Sequence, residues 1–296
     1  MQRENYDFIT GDELLILCGT RGISIAEAML RREEKRSETD RESLLREMRQ
    51  NLDTMRGSIK KGLSEKQNSV TGLTGGDAET LLAYSRGNTF TGESACRAVA
   101  CSMAVVEVNS AMGKIVAAPT AGASGVLPGT LISSGEERGW SDEKLVMGLF
   151  TAAAVGMLIA RNASISGAAG GCQAETGAAA AMAAAALVEC SGGTPLKALH
   201  AASMALKNVM GLVCDPVAGL VESPCIKRNA LGAVNALLSA DMALSGIESI
   251  IPFDEVVWAM HNVGRAMHAD LRETARGGIA TTPTAKAIRN RLKMDI

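Results

Sequence analysis

Residues 177–188 read GAAAAMAAAALV, and this run of small apolar side chains indicates which fold class the chain adopts. Only 3% of the chain is aromatic, whereas 31 residues are glycine and 15 are methionine. Because β-sheets recruit aromatic and β-branched side chains, a core so poor in aromatic residues indicates closely packed helices. The run is also too short to span a membrane. We therefore predict an all-α fold without a membrane segment.

The overall composition excludes several classes of protein. The 296 residues carry 30 Lys and Arg against 32 Asp and Glu, a net charge of -2, which gives no reason to expect a nucleic acid or an anionic membrane as partner. With 47% hydrophobic residues the chain can bury a large core. The first residues, MQREN, are polar and show no apolar signal region, so we expect a cytoplasmic protein. Its 7 cysteines are then reduced thiols or metal ligands.

Residues 1–70 are more charged than the rest of the chain. Ser24 and Thr39 each open a capping box, the signature of a helix N-terminus. Apolar side chains then recur on one face of a predicted helix, at Leu44, Leu45, Met48, Leu52 and Met55. We predict a charged helical arm over residues 1–70, packed on the main domain or on a partner, and a helical domain over residues 71–296.

Three loops rich in Gly, Ser and Thr interrupt the second domain, at residues 71–77, 119–125 and 164–171. Helices are predicted from Ser141 to about Arg161, from Thr194 to about Met210, from Cys225 to Ser245 and from Pro252 to near Arg276. Loops of this kind let a backbone approach a ligand closely, or they are ordinary turns between packed helices. None of them matches a Walker or Rossmann motif, which argues against nucleotide binding.

Three cysteines lie at or beside turns that contain Gly or Pro: Cys172, Cys214 and Cys225. The others, Cys18, Cys96, Cys101 and Cys190, lie in more helical surroundings. A thiol inside a helix is usually a small core residue, whereas a thiol at a helix end is better placed to bind metal. The sequence contains no CxxC pair, so spacing alone leaves metal binding and simple burial equally open.

Longer stretches around these cysteines resemble a known family. They are residues 165–175, ISGAAGGCQAE, residues 211–219, GLVCDPVAG, and residues 222–229, ESPCIKRN. Residues 118–125, APTAGASG, and residues 277–284, GGIATTPT, add to the likeness. Together they resemble the iron–sulfur-dependent L-serine dehydratases from about Thr71 to the end of the chain. The overall length resembles the α subunit of the two-subunit form.

The resemblance implies a [4Fe-4S] cluster held by Cys172, Cys214 and Cys225. It also implies a single helical catalytic domain, residues 71–296, whose Gly/Ser/Thr-rich loops converge on the cluster. The implied reaction converts L-serine to pyruvate and ammonium. The family's β subunit has a Gly-Pro-Ser-Ser-Ser-His-Thr motif and an amino-acid-sensing region that this sequence lacks. A β subunit on a separate chain is therefore the implied partner, and activity is expected to require it.

Three thiolates leave one iron of such a cluster without a protein ligand, and an open position is typical of a catalytic metal. The implied role of that iron is Lewis-acid activation of the substrate hydroxyl. Alternatively, one of the other four cysteines binds this fourth iron. Candidate donors to the substrate carboxylate are Thr120, Gly122, Ser124 and Arg228. Candidate general bases are His261 and His268, which the predicted last helix places near one face, together with His200, Lys227 or a group from the partner chain.

Two other functions stay open from the sequence. One is a non-catalytic helical subunit with a structural metal, most simply zinc, since buried cysteines also serve that purpose. The other is a pyridoxal-phosphate-dependent dehydratase, which requires an α/β fold and a Schiff-base lysine. The helical character of the sequence argues against the second.

Overall fold

The computed structural model describes residues 6–293, and those residues form helices and loops without a β-strand. In chain order the helices are α1 Gly11–Arg21, α2 Ile25–Ser37, α3 Arg41–Ser64, α4 Asp77–Ser85, α5 Glu93–Ser110, α6 Val126–Arg138, α7 Asp142–Asn162, α8 Gly167–Gly170, α9 Ala178–Cys190, α10 Pro195–Asn208, α11 Cys225–Leu244, α12 Phe253–Ala266 and α13 Pro283–Leu292. A π-helical turn covers Gln173–Gly177, and short 3-10 turns cover Val217–Gly219, Ala269–Leu271 and Gly278–Thr281. The predicted all-α fold is confirmed.

Helix α9, which contains the alanine-rich run, lies at the centre of the molecule. It packs against α6, α7, α10 and α11. Its eight alanines are all fully buried. Because alanine side chains are short, neighbouring helices approach closely: a Cβ added at Gly148 of α7 would lie 2.7 Å from Cys190 Sγ, and one added at Gly156 would lie 2.9 Å from Met182 Sδ. Small residues on both helices therefore set the spacing of the core.

Helix α7 is long and apolar enough to cross a membrane by length and composition alone. In the structure, however, 67% of that apolar window is buried inside the protein. The burial comes largely from packing against α9 and α2. Burial by other helices is what a central core helix requires, and it explains the hydropathy of α7 within the fold.

The described part of the N-terminal segment packs on the rest of the chain. Helix α2 packs on α7, and α3 packs on α5. Leu14, Ile25 and Leu52 belong to the same apolar core as Leu131 and Leu158. The three N-terminal helices therefore share the main core, while the proposed boundary at residue 70 stays a prediction. Residues 1–5 and 294–296 lie outside the described range.

Carboxylates from distant helices cap the N-termini of three helices. Glu189 of α9 accepts the N–H groups of Ile25 and Ala26 at 2.8 and 3.0 Å. Glu107 of α5 accepts three N–H groups at the start of α4. Asp254 of α12 accepts two at the start of α1. Because a helix begins with unpaired N–H donors and a positive dipole end, these carboxylates fix how the outer helices dock on the core.

The local caps follow the sequence with one difference. Ser24 accepts the N–H of Glu27 at 3.1 Å, as the capping box predicts. Helix α3 is capped by Asp40 rather than by the predicted Thr39, since the Asp40 carboxylate accepts the N–H of Ser43 at 2.9 Å. Thr and Asp both cap well, so adjacent residues of these two types leave the boundary uncertain by one position.

The predicted last long helix is wrong in length, whereas those starting at residues 142, 195 and 225 end close to their predicted residues. Helix α12 ends at Ala266, not near Arg276, and Met267 is extended at φ -66° and ψ 133°. The chain leaves the helix because it pairs with Cys214, whose N–H donates to Leu271 O at 2.8 Å. His268 caps the following 3-10 turn, so it does not share a helix face with His261 as predicted.

Candidate metal centre

Cys172 stands at the turn between α8 and the π-helical turn that leads into α9. Gly171 precedes it with a φ of 77°, and a Cβ there would lie 2.7 Å from Leu212 O, so this turn requires glycine. The buried Gln173 follows, donating to Met260 O at 3.0 Å and accepting the N–H of Gly211 at 2.9 Å. These contacts hold the Cys172 turn against both the next loop and α12.

Cys172 and Cys214, distant in sequence, are neighbours in the fold. Their sulfur atoms and a carboxylate oxygen of Glu175 all lie within 4.8 Å of one another. Both thiols are buried, at 3% and 2% exposure, whereas Glu175 is only partly buried. We call these three residues the Cys–Glu group. Sequence reasoning missed Glu175, although its position three residues after Cys172 is the spacing that brings two side chains to one helix face.

Arg228, on the first turn of α11, binds this group from one side. One terminal nitrogen donates to Cys172 Sγ at 3.4 Å and to Val213 O at 2.7 Å. The other donates to the buried Asp215 at 2.7 Å. The second carboxylate oxygen of Asp215 accepts the N–H of Ile279 at 2.7 Å. The guanidinium therefore already has three protein partners, and its predicted role in binding a substrate carboxylate stays a prediction.

The two neighbouring thiols differ in acidity. The hydrogen bond from Cys214, followed by the charge of Arg228, lowers the pKa of Cys172 although burial opposes it. The same hydrogen bond, followed by burial, raises the pKa of Cys214. Of the two, Cys172 is therefore the thiol that ionises more readily. Since metal binds thiolates, loading this site would release the proton of Cys214.

Cys225 is the first residue of α11 and lies outside the 4.8 Å spacing of the Cys–Glu group. Burial, followed by the charges of Cys172 and Glu175, raises the pKa of Cys225 to about 12. In an iron–sulfur cluster the cysteines bind different irons, and a wider spacing than around a single ion is compatible with that arrangement. The side-chain amide of Asn229 donates to Cys225 O at 2.9 Å and to Gly122 O at 2.7 Å, which links the start of α11 to the loop before α6.

The loop that precedes α6 forms another wall of the site. Thr120 donates its hydroxyl to Glu175 at 2.8 Å. A Cβ added at Gly122 would lie 3.4 Å from the same carboxylate. Ser124 is fully buried, and its hydroxyl donates within the loop to Ala121 O. The structure therefore brings Thr120 and Gly122 to the Cys–Glu group, while substrate binding by these residues stays a prediction.

The loop at residues 71–77 contacts the segment that leads into Cys225. The hydroxyls of Thr71 and Thr74 both donate to Glu222, three residues before Cys225. Two of the three predicted loops therefore contact the Cys–Glu group directly, and the third supports the segment that leads into Cys225.

The candidate bases do not belong to the Cys–Glu group. Lys227 forms an ion pair with Asp77 on α4. His268 has a side-chain exposure of 73% and lies beside Asp270. His200 accepts the N–H of Ser249, and His261 is half-buried on α12. A catalytic role for any of them stays a prediction.

The remaining cysteines are buried elsewhere in the core. Burial raises the pKa of Cys18 to about 12, that of Cys190 to about 12 and that of Cys101 to about 11, and it also raises the pKa of Cys96. None of the four joins the Cys–Glu group within residues 6–293. Raised pKa values keep these thiols protonated, as expected of small core residues.

The shape and chemistry of the site fit a thiolate-bound metal centre. A Cβ added at Gly167 would lie 2.7 Å from Glu175 Oε2 and 2.9 Å from Cys214 Sγ, so only glycine lets the backbone approach both donors this closely. Buried thiolates next to a carboxylate are soft and anionic donors, suited to iron–sulfur clusters and also to zinc. The residues present therefore fit the implied cluster and equally fit the zinc alternative.

Comparison with known proteins places the chain in a family. A family model described as the serine dehydratase alpha chain matches residues 20–280. The probable L-serine dehydratase alpha chain of Bacillus subtilis is 50% identical over 95% of this chain and 93% of its own length. The L-serine dehydratase alpha chain of Peptoniphilus asaccharolyticus is 45% identical over 95% of this chain and 96% of its own length. An L-serine dehydratase of Streptomyces coelicolor is 40% identical over 93% of this chain but 61% of its own length. The chain therefore belongs to the serine dehydratase alpha chain family.

Proposed function

We propose that this chain is the α subunit of an L-serine dehydratase, which converts L-serine to pyruvate and ammonium. The observation that carries the proposal is the Cys–Glu group, a buried pair of thiols with a carboxylate, in a chain of this family. The names of the two alpha-chain relatives support the substrate. A pyridoxal-phosphate enzyme is disfavoured because residues 6–293 contain no strand and so lack the α/β fold that it requires.

Cys172, Cys214 and Cys225 would hold a [4Fe-4S] cluster. When bound, such a cluster supplies a Lewis acid for the substrate hydroxyl, which becomes a better leaving group. The chain prepares the site for it: Arg228 stabilises the thiolate form of Cys172, and Asp215 fixes the orientation of Arg228. A partner that orients a ligand in this way typically changes metal affinity about 10- to 100-fold when it is lost.

The protein around the site has two further tasks. The burial of all three thiols, at 9% exposure or less, keeps bulk water from them. Thr120 holds the Glu175 carboxylate by a hydrogen bond. We propose that backbone N–H groups of the surrounding loop bind the substrate carboxylate. Because Lys227 and His268 lie outside the site, each beside a carboxylate, we propose that the partner chain or His261 takes the α-proton. Loss of water from serine then leaves an enamine that hydrolyses to pyruvate and ammonium.

We propose a β subunit as the partner chain. The chain corresponds to 61% of the length of the Streptomyces coelicolor relative, and the alpha-chain names of the closer relatives agree with a second subunit. A cytoplasmic location remains part of this proposal. Activity is expected only from the two chains together.

Anaerobic reconstitution with iron and sulfide, with and without the partner chain, tests the proposed function through pyruvate formed from L-serine. We expect pyruvate only when iron, sulfide and the partner are all present, and we expect Cys172→Ser to abolish it. Cys96→Ser is the matched control, because Cys96 is equally buried but lies outside the Cys–Glu group. One zinc per chain, without acid-labile sulfide and without pyruvate, would instead establish the structural-metal alternative.

A further inference from the structure

Glu175 carries a carboxylate that the proposed cluster ligands do not require. Its Oε1 accepts from Thr120 at 2.8 Å, and its Oε2 lies 3.9 Å from Cys214 Sγ. No Lys, Arg or His among residues 6–293 forms an ion pair with it. The cation bound to the Cys–Glu group, Arg228, donates instead to Cys172, Val213 and Asp215.

A partly buried anion without a cation is energetically unfavourable. Burial raises the pKa of Glu175, and the nearby charge of Glu273 adds to the effect, although the hydrogen bond from Thr120 opposes it. A second carboxylate, that of the exposed Glu273, lies in the same region. A ligand that brings its own positive charge would therefore be stabilised beside Glu175.

Two glycines let the backbone approach this carboxylate closely. Gly167 and Gly122 flank it, and an added Cβ would reach 2.7 Å from Oε2 at the first position and 3.4 Å from Oε1 at the second. Glu175 is also the member of the Cys–Glu group that is not fully buried, so a ligand entering the site meets its carboxylate.

We propose that the Glu175 carboxylate binds the α-ammonium of the amino-acid substrate and thereby selects amino acids over other small carboxylic acids. The assignment rests on the proposed function. Serine carries three polar groups, and the proposed function provides partners for its carboxylate and its hydroxyl. The ammonium needs an anion, and Glu175 is the carboxylate in the Cys–Glu group. A charge-assisted hydrogen bond of this kind discriminates strongly against a ligand that lacks the donor.

L-alanine and propionate test the proposal, because they share a carbon chain and a carboxylate and differ by the ammonium group. Their dissociation constants are measured by calorimetry on the full chain, reconstituted with iron and sulfide and bound to the partner chain. We expect the wild type to bind L-alanine at least about 30-fold more tightly than propionate. Glu175→Gln is expected to reduce that ratio to about threefold or less, with propionate affinity unchanged. Glu175→Asp keeps the charge and is expected to give an intermediate ratio.

Glu273→Gln is the matched control, since it removes the same charge from the exposed edge of the site and is expected to keep the ratio. An unchanged ratio in both Glu175 variants would overturn the proposal, and so would loss of iron from Glu175→Gln, which would make Glu175 a metal ligand. Pyruvate formation by the wild type reports separately on the proposed function. One outcome would separate the two proposals. If the wild type forms no pyruvate but Glu175→Gln still reduces the preference for L-alanine, the ammonium site stands and the dehydratase assignment fails.

Discussion

The guanidinium of Arg228 donates to Cys172 Sγ across 3.4 Å, from a helix that begins three residues earlier at Cys225. The same side chain binds Asp215, the residue after Cys214. One arginine thus joins the three chain segments that carry the three cysteines. Its charge favours the thiolate form of Cys172, and its planar donors fix the mutual orientation of the segments.

Arg228→Met is expected to lower the free energy of unfolding by about 3 kcal/mol, because it leaves the Asp215 carboxylate buried without its cation. Urea denaturation of the metal-free protein measures the loss. Arg97→Met is the control, since the Arg97–Glu136 pair is about half exposed on both sides and should contribute less than about 1 kcal/mol. Equal losses in the two variants would show that the Arg228 network is not an effectively buried ion pair.

Gly167→Ala is expected to weaken metal binding by at least about tenfold, because its Cβ would press on both Glu175 and Cys214. Cobalt titration, followed through thiolate absorption, measures the affinity independently of activity. Gly19→Ala, on α1 with nothing within 4 Å of the added Cβ, is expected to leave cobalt binding unchanged. Wild-type cobalt affinity in Gly167→Ala would contradict the crowding argument.

Glu189→Ala is expected to destabilise the protein by about 2 kcal/mol. The carboxylate accepts two N–H groups at the start of α2 and also the hydroxyl of Thr151 at 2.7 Å, so its loss leaves several donors without a partner. Thermal unfolding measures the change. Glu137→Ala is the control, because Glu137 is exposed, and it should lower the stability by less than about 0.5 kcal/mol. A similar cost for both would mean that the cap contributes little.

The ion pairs of Glu27 predict a dependence of stability on pH. Burial alone would raise the pKa of Glu27, but Arg41 and Arg31 outweigh it and hold the pKa below its ordinary value. A lowered pKa in the folded state adds stability above the unfolded-state pKa, and this is lost as the pH falls through the folded-state pKa. Glu27→Gln should therefore cost about 0.5–1 kcal/mol at pH 7. In urea denaturation across acidic pH the difference from wild type should vanish, whereas a constant difference would contradict the assignment.

Much of the fold was predictable from local pattern. The alanine-rich run and the scarcity of aromatic residues indicated packed helices, and the cap at Ser24 placed the start of α2 correctly. The end of α12 was not predictable in this way. The residues after Ala266 leave the helix because Cys214 offers backbone partners in that place, and nothing near Met267 in the sequence signals this pairing.

The candidate site was also predictable only in part. The turns that contain Gly or Pro distinguished Cys172, Cys214 and Cys225 from the other cysteines. Glu175 went unnoticed because its spacing of three residues from Cys172 is common in helices and does not by itself indicate a site. Its importance comes from the approach of Cys214 and Thr120, which belong to other parts of the chain.

The sequence alone therefore determined the helical class, the bounds of α7, α10 and α11 to within about two residues, and the three cysteine donors, since side-chain type and short-range periodicity act between near neighbours. The tertiary structure decided which donors meet. Packing between distant helices decides the contact of Cys172 with Cys214 and the position of Arg228 beside the Cys172 sulfur. It also leaves the carboxylate of Glu175 without a cation within the described residues. Such long-range packing minimises the free energy of the whole chain, and no short stretch of sequence contains that information.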